Sequence, residues 1–120
     1  MAKRILIVDD NLDILTMLKD YLSKEGFEVV SALNGQKGLF VAREEKPDCI
    51  ILDMMMPKRS GFLVLERLKR MGEKKLRIIM ITANEGSRHK AYAEMLGVDD
   101  YVRKPFPMDR LIQSVDRLLQ

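Results

Sequence analysis

Residues 49–53 read Cys-Ile-Ile-Leu-Asp, an unbroken apolar run closed by an acid. A run this short, with no alternation of polar positions, suits a strand buried on both faces of a sheet. Outward from it the pattern recurs. Similar runs lie at Arg4–Val8, Phe27–Ala32, Ile78–Thr82 and Asp100–Val102. Between them the apolar spacing lengthens to that of helices, marked by Leu15, Leu18 and Leu22, then Leu39 and Ala42, then Leu65 and Leu68. Ala91 with Met95 marks a fourth helix, and Leu111, Val115, Leu118 and Leu119 a fifth. Gly26, Gly72 and Gly97 close three of these helices, Pro47 halts the second, and Asn34 and Ser60 are the N-cap candidates. Strands alternating with helices predict an α/β domain of (βα)5 type, with a parallel sheet, right-handed crossovers and both sheet faces covered.

The 120 residues suffice for one domain, placed over residues 1–120, with an ordinary core. With 47% hydrophobic and 32% charged residues the chain is globular in composition. The single Cys49 excludes an internal disulfide, which fits a reducing compartment. Asp9 and Asp10 cut short the apolar stretch that follows Lys3 and Arg4, leaving it below the roughly seven residues of a signal-peptide core. No run approaches the ~20 apolar residues of a membrane span. A cytoplasmic protein without membrane contact is expected. The net charge of +3 arises largely between Lys58 and Arg77. There the basic residues interleave with leucines and lack a stacking aromatic, so a solvated helix face is expected, not direct nucleic-acid binding.

In a parallel α/β sheet the carboxyl ends of all strands share one edge, and sites form there. The first strand ends in Asp9-Asp10, the third in Asp53 and the fourth in Thr82, while the fifth runs into Lys104-Pro105. Asp48, Asp99 and Asp100 lie where strands begin and belong to the opposite edge. Asp13, near a helix start, is accounted for by the helix dipole. His89, between Arg88 and Lys90, reads as an exposed helix residue without a role.

These residues carry a resemblance. ILIVDD at 5–10, DCIILDMMMPKRSG at 48–61, IIMITAN at 78–84 and GVDDYVRKPF at 97–106 resemble the receiver domain of two-component response regulators, the CheY-like family. The resemblance covers essentially the whole chain. It implies a doubly wound, flavodoxin-like sheet of order 2-1-3-4-5. In that order the first and third strands are neighbours about 4.8 Å apart, so Asp9, Asp10 and Asp53 crowd into one pocket. A divalent cation offsets such crowding, and an all-oxygen site suits Mg²⁺ (or Mn²⁺). The resemblance implies that Asp10 and Asp53 ligate it directly, that Asp9 acts through water and that the backbone carbonyl of Met55 completes the set. Lys104, two strands or roughly 10 Å from Asp53, has the reach to pair with it, and the resemblance implies that Lys104 and Thr82 both contact a phosphoryl group carried by Asp53.

The implied function is that of a phosphoacceptor. Asp53 takes a phosphoryl group from the phosphohistidine of a sensor histidine kinase or phosphotransfer protein. Thr82 and Tyr101 then switch the face formed by the fourth helix, fifth strand and fifth helix, toward an output partner or domain that the sequence does not name. The domain would catalyse only its own phosphorylation and dephosphorylation and is not an enzyme in the turnover sense. The Lys104-Pro105 bond is expected to be cis, as in the family.

Other readings fit less well. A flavodoxin-type nucleotide binder needs a phosphate-cradling loop after the first strand, where this chain has Val-Asp-Asp-Asn at 8–11. An aspartyl-phosphate phosphatase of the haloacid dehalogenase type needs an acid at position 55, which is Met. A pseudo-receiver usually lacks one of the acids or the Lys. Two departures from the family pattern stand out. Met55 cannot orient an attacking water, so slow self-dephosphorylation is expected, with Asn84 as the alternative polar group. Arg110 and Ser114 occupy places where receivers joined to winged-helix DNA-binding domains typically carry an acid and an Arg, which argues against that dimer mode.

Overall fold

In the computed structural model, strands β1 (Arg4–Val8), β2 (Glu28–Ala32), β3 (Cys49–Asp53), β4 (Arg77–Thr82) and β5 (Asp100–Arg103) alternate with five helices. These are α1 (Leu12–Lys24), α2 (Gly35–Glu45), α3 (Gly61–Arg70), α4 (Ser87–Met95) and α5 (Met108–Leu118). The structure describes residues 2–53, 61–70, 76–82 and 87–119. The expected cap Ser60, the stop Gly72, the ligand candidate Met55 and Asn84 lie outside the described residues, as does the side chain of His89.

All strand pairs are parallel, in the order β2-β1-β3-β4-β5. The alternation of side chains across each strand sorts the sheet into two cores. Leu6, Val8, Ile50, Leu52, Ile78 and Met80 face Ala42, Val64, Leu65, Leu68 and Ala93 of α2, α3 and α4. Ile5, Ile7, Cys49, Ile51, Ile79 and Ile81 face Leu15, Leu18, Leu22, Leu111 and Val115 of α1 and α5. β1, β3 and β4 are apolar on both faces for this reason.

Local chemistry fixes the element ends. The Asn11 side chain caps α1 by accepting from the N–H groups of Asp13 and Ile14, and Asn34 caps α2 by accepting from Lys37. Gly26 takes φ +99°, the left-handed conformation in which the chain leaves α1. Phe27 lies outside β2, because its N–H turns back to the Leu22 carbonyl and completes that helix end. At the sheet edge where the strands begin, Asp48 accepts from the Arg4 N–H and Asp99 from the Ile78 N–H, both at 2.8 Å. These two acids satisfy strand amides and stand apart from the acids at the other edge.

The fourth helix forms where Ala91 and Met95 mark it, but the pair does not define its buried face. Ala91 and Met95 are exposed, Met95 at 73%, and the helix buries Ala93 instead. Residues four apart share a helix face while residues two apart do not, so the apolar pair marked the solvent side.

Candidate functional site

The register places the site. Val8 pairs with Leu52 and Asp53 with Ile81, so the residue following β1 stands beside the last residue of β3. Asp9 continues the ladder by donating its N–H to the Ala32 carbonyl at 3.2 Å. Asp9 is fully buried and Asp53 nearly so, at 3%, while Asp10 is exposed. One carboxylate oxygen from each of Asp9, Asp10 and Asp53 lies within 4.8 Å of the others.

Burying carboxylates is costly unless they are paired and hydrogen-bonded. Asp9 meets both conditions: its Oδ1 accepts from the Asn11 N–H at 2.9 Å and its Oδ2 from the Lys104 ammonium at 3.1 Å. The same ammonium is 3.8 Å from Asp53. The ion pair of Lys104 with Asp53 expected from the sequence is therefore present, and the shorter hydrogen bond of the same ammonium goes to Asp9. Three acids and one Lys leave two negative charges. An all-oxygen donor set with that charge fits a hard divalent cation such as Mg²⁺.

Thr82, wholly buried at the end of β4, forms a side-chain hydrogen bond with Tyr101 of β5. Burial pushes the Tyr101 phenol above its ordinary range, and the Thr82 bond opposes that rise. The Thr82 carbonyl accepts from the Lys104 N–H at 2.7 Å, so the two candidate residues are joined through the backbone. The following Lys104–Pro105 peptide is cis.

One cluster was missed in the sequence. On β5, Asp100 accepts from Arg110 Nη1 and Nη2 at 3.0 and 3.2 Å, from Arg117 at 3.3 Å and from the Ser114 hydroxyl. Burial alone would raise this carboxyl, but the hydrogen bonds from Arg110, Ser114 and the Tyr101 N–H override it and hold the group at about 2. The spacing 110, 114, 117 puts all three partners on one helix face, a signal the sequence carried. Arg110 and Ser114, read earlier only as departures from a dimer pattern, are engaged within the chain.

Comparison with known proteins agrees with this geometry. A family model described as the response regulator receiver domain matches residues 5–116. The chain is 42% identical to the alkaline phosphatase synthesis transcriptional regulatory protein PhoP of Bacillus subtilis strain 168, over all of this chain and half of that protein. It therefore spans about half the length of that curated relative. A CheY-like receiver domain protein from Methanospirillum hungatei superposes with a TM-score of 0.93 at 29% identity, over 98% of this chain and 94% of the other. The response regulator TrrA of Thermotoga maritima, crystallised in complex with Mg²⁺–BeF, gives a TM-score of 0.85 at 37% identity, over 97% and 98%. With its receiver sheet and acidic pocket, the chain belongs to the response regulator receiver family.

Proposed function

We propose that Asp53 is the phosphoacceptor of a two-component relay. The observation that carries this reading is the convergence of buried Asp9 and Asp53 and exposed Asp10 with one Lys at the carboxyl edge of the sheet. Asp53 attacks phosphorus in line. The bond from phosphorus to the donor imidazole nitrogen breaks as the bond to the Asp53 oxygen forms, and the imidazole leaves with the electron pair and takes up a proton. Positioning and charge compensation carry such a transfer, since little covalent machinery is required. Asp10 and Asp53, with Asp9 and the Met55 carbonyl, would hold Mg²⁺, which when bound neutralises developing charge on the phosphoryl oxygens. Lys104 supplies the protein's own positive charge and bridges the pocket.

The Thr82 hydroxyl has one proton to donate. Drawn to a phosphoryl oxygen, it leaves Tyr101, and the α4–β5–α5 face changes with that residue as a shift between two pre-existing states. Loss of the phosphoryl group by attack of water is the chain's own reaction, slowed by the apolar Met55.

A histidine kinase or phosphotransfer protein is the proposed donor. Exposed Leu12 and Leu33 border a cavity of about 240 Å³ with Lys19 and Lys37, formed where α1 and the β2–α2 connection begin, next to the acids. The chain, incubated with Mg²⁺ and a small acyl-phosphate donor, should gain the mass of one phosphoryl group. No gain, or a gain undiminished by chelator, would reject the reading.

A further inference from the structure

Arg43, Arg67 and Arg70 line, with Leu39, a cavity of about 210 Å³ between α2 and α3. Arg43 lies in the last turn of α2, and Arg67 and Arg70 in the last turn of α3. The cavity therefore sits toward the edge where the strands begin, away from the acidic pocket. None of the three guanidinium groups has a carboxylate partner among the described residues, which they share with Arg103, whereas Arg4, Arg77, Arg110 and Arg117 all do. Helix dipoles explain basic residues at helix C-termini, but each contributes only about half a negative charge. Two such ends against three exposed guanidiniums leave the lining of the cavity positive.

We propose that this cavity is a binding site for a small pyrophosphate-bearing anion. Guanidinium groups match phosphate oxygens in a planar, two-pronged way, and several around one pocket recognise more than one phosphate. The volume is below the roughly 300 Å³ where pockets for drug-sized organic ligands begin, which suits a compact anion resting on the Leu39 side chain. The site does not involve Asp53 and operates with or without the phosphoryl chemistry.

The test is titration of the chain with sodium pyrophosphate in the presence of a metal chelator, so that no metal can carry phosphate to the acidic pocket. Arginine side-chain N–H signals in ¹⁵N-resolved spectra give the readout. Saturable shifts at Arg43, Arg67 and Arg70 are expected. The double variant Arg67→Gln/Arg70→Gln should weaken binding by about tenfold or more, while Lys3→Gln/Lys24→Gln, with the same loss of charge, should not. Gln is a good helix former, and circular dichroism checks that the variants fold. A parallel ATP titration separates the sources: tighter binding than pyrophosphate assigns the site to a nucleotide, equal binding to free polyphosphate. Shifts that do not saturate, equal weakening by both double variants, or binding of a short DNA duplex without binding of pyrophosphate would overturn the proposal.

Discussion

Lys104 donates a 3.1 Å hydrogen bond to Asp9 across the full run from β5 to β1, and passes Asp53 at 3.8 Å on the way. One ammonium, itself only 19% exposed, thus serves two buried carboxylates. Removing one partner of a buried pair leaves the other uncompensated, at a cost of roughly 3 kcal/mol or more. Lys104→Met should therefore be destabilised by about that amount in chelator, as read by urea unfolding. Millimolar Mg²⁺ should recover more stability in this variant than in the unaltered chain, because binding to the folded state alone stabilises it. Equal stability of variant and parent in chelator would show that the Lys104–Asp9 contact is not worth what its burial implies.

The Thr82–Tyr101 bond ties the pocket to the β5 surface. Thr82→Val keeps the shape and removes the hydroxyl. The bond opposes the rise of the Tyr101 phenol, so its loss should move that group further upward, measurable by following the Tyr101 ring signals through alkaline pH. The same variant should still accept a phosphoryl group yet fail to transmit it to Tyr101. A Tyr101 response to phosphorylation as large as in the parent would separate the two residues.

Acid should report on Asp100. A carboxyl held at about 2 when folded and near 3.9 when unfolded contributes stability at neutral pH that fades as pH falls from about 4 through about 2. Arg110 and Arg117 are 43% and 63% exposed, so solvent screening reduces the effect to the order of 1 kcal/mol. Asp100→Asn should lose this much at pH 7 and little at pH 2. Parallel stability curves for the variant and parent across that window would contradict the assignment.

Gly38 is the point where α2 meets β1. A Cβ there would stand 2.8 and 3.0 Å from the two γ-carbons of Val8, a side chain fixed in the core. Gly38→Ala gains about 1 kcal/mol in helix propensity but overpacks the core by typically 1–3 kcal/mol. The clash should win, giving a lower thermal midpoint. Val8 directly precedes Asp9, so weaker Mg²⁺ stabilisation should accompany the loss.

The (βα)5 alternation was legible because β1, β3 and β4 are buried on both faces and so appear as unbroken apolar runs. The site acids were legible for a related reason: a polar residue ending such a run must lie at the sheet edge. Other features depend on tertiary geometry. Nothing local tells Lys104 to prefer Asp9 over Asp53, since the choice arises where its long side chain crosses the sheet. Ala91 and Met95 marked the fourth helix but not its inner face, because nine residues offer too few apolar positions to define one. The Asp100 cluster is within reach of helix spacing, since Arg110, Ser114 and Arg117 share one face, although Asp100 lies at the edge away from the pocket.

Reduction of the phosphorylated chain with borohydride identifies which carboxyl group carries the phosphoryl group. An acyl phosphate is reduced to the alcohol, converting the modified aspartate to homoserine, which peptide mass analysis locates by residue. Homoserine is expected at position 53 after treatment with Mg²⁺ and an acyl-phosphate donor, and none when either is omitted. Homoserine at position 9 or 10 instead, or none anywhere in a chain that had gained phosphoryl mass, would contradict Asp53 as the phosphoacceptor.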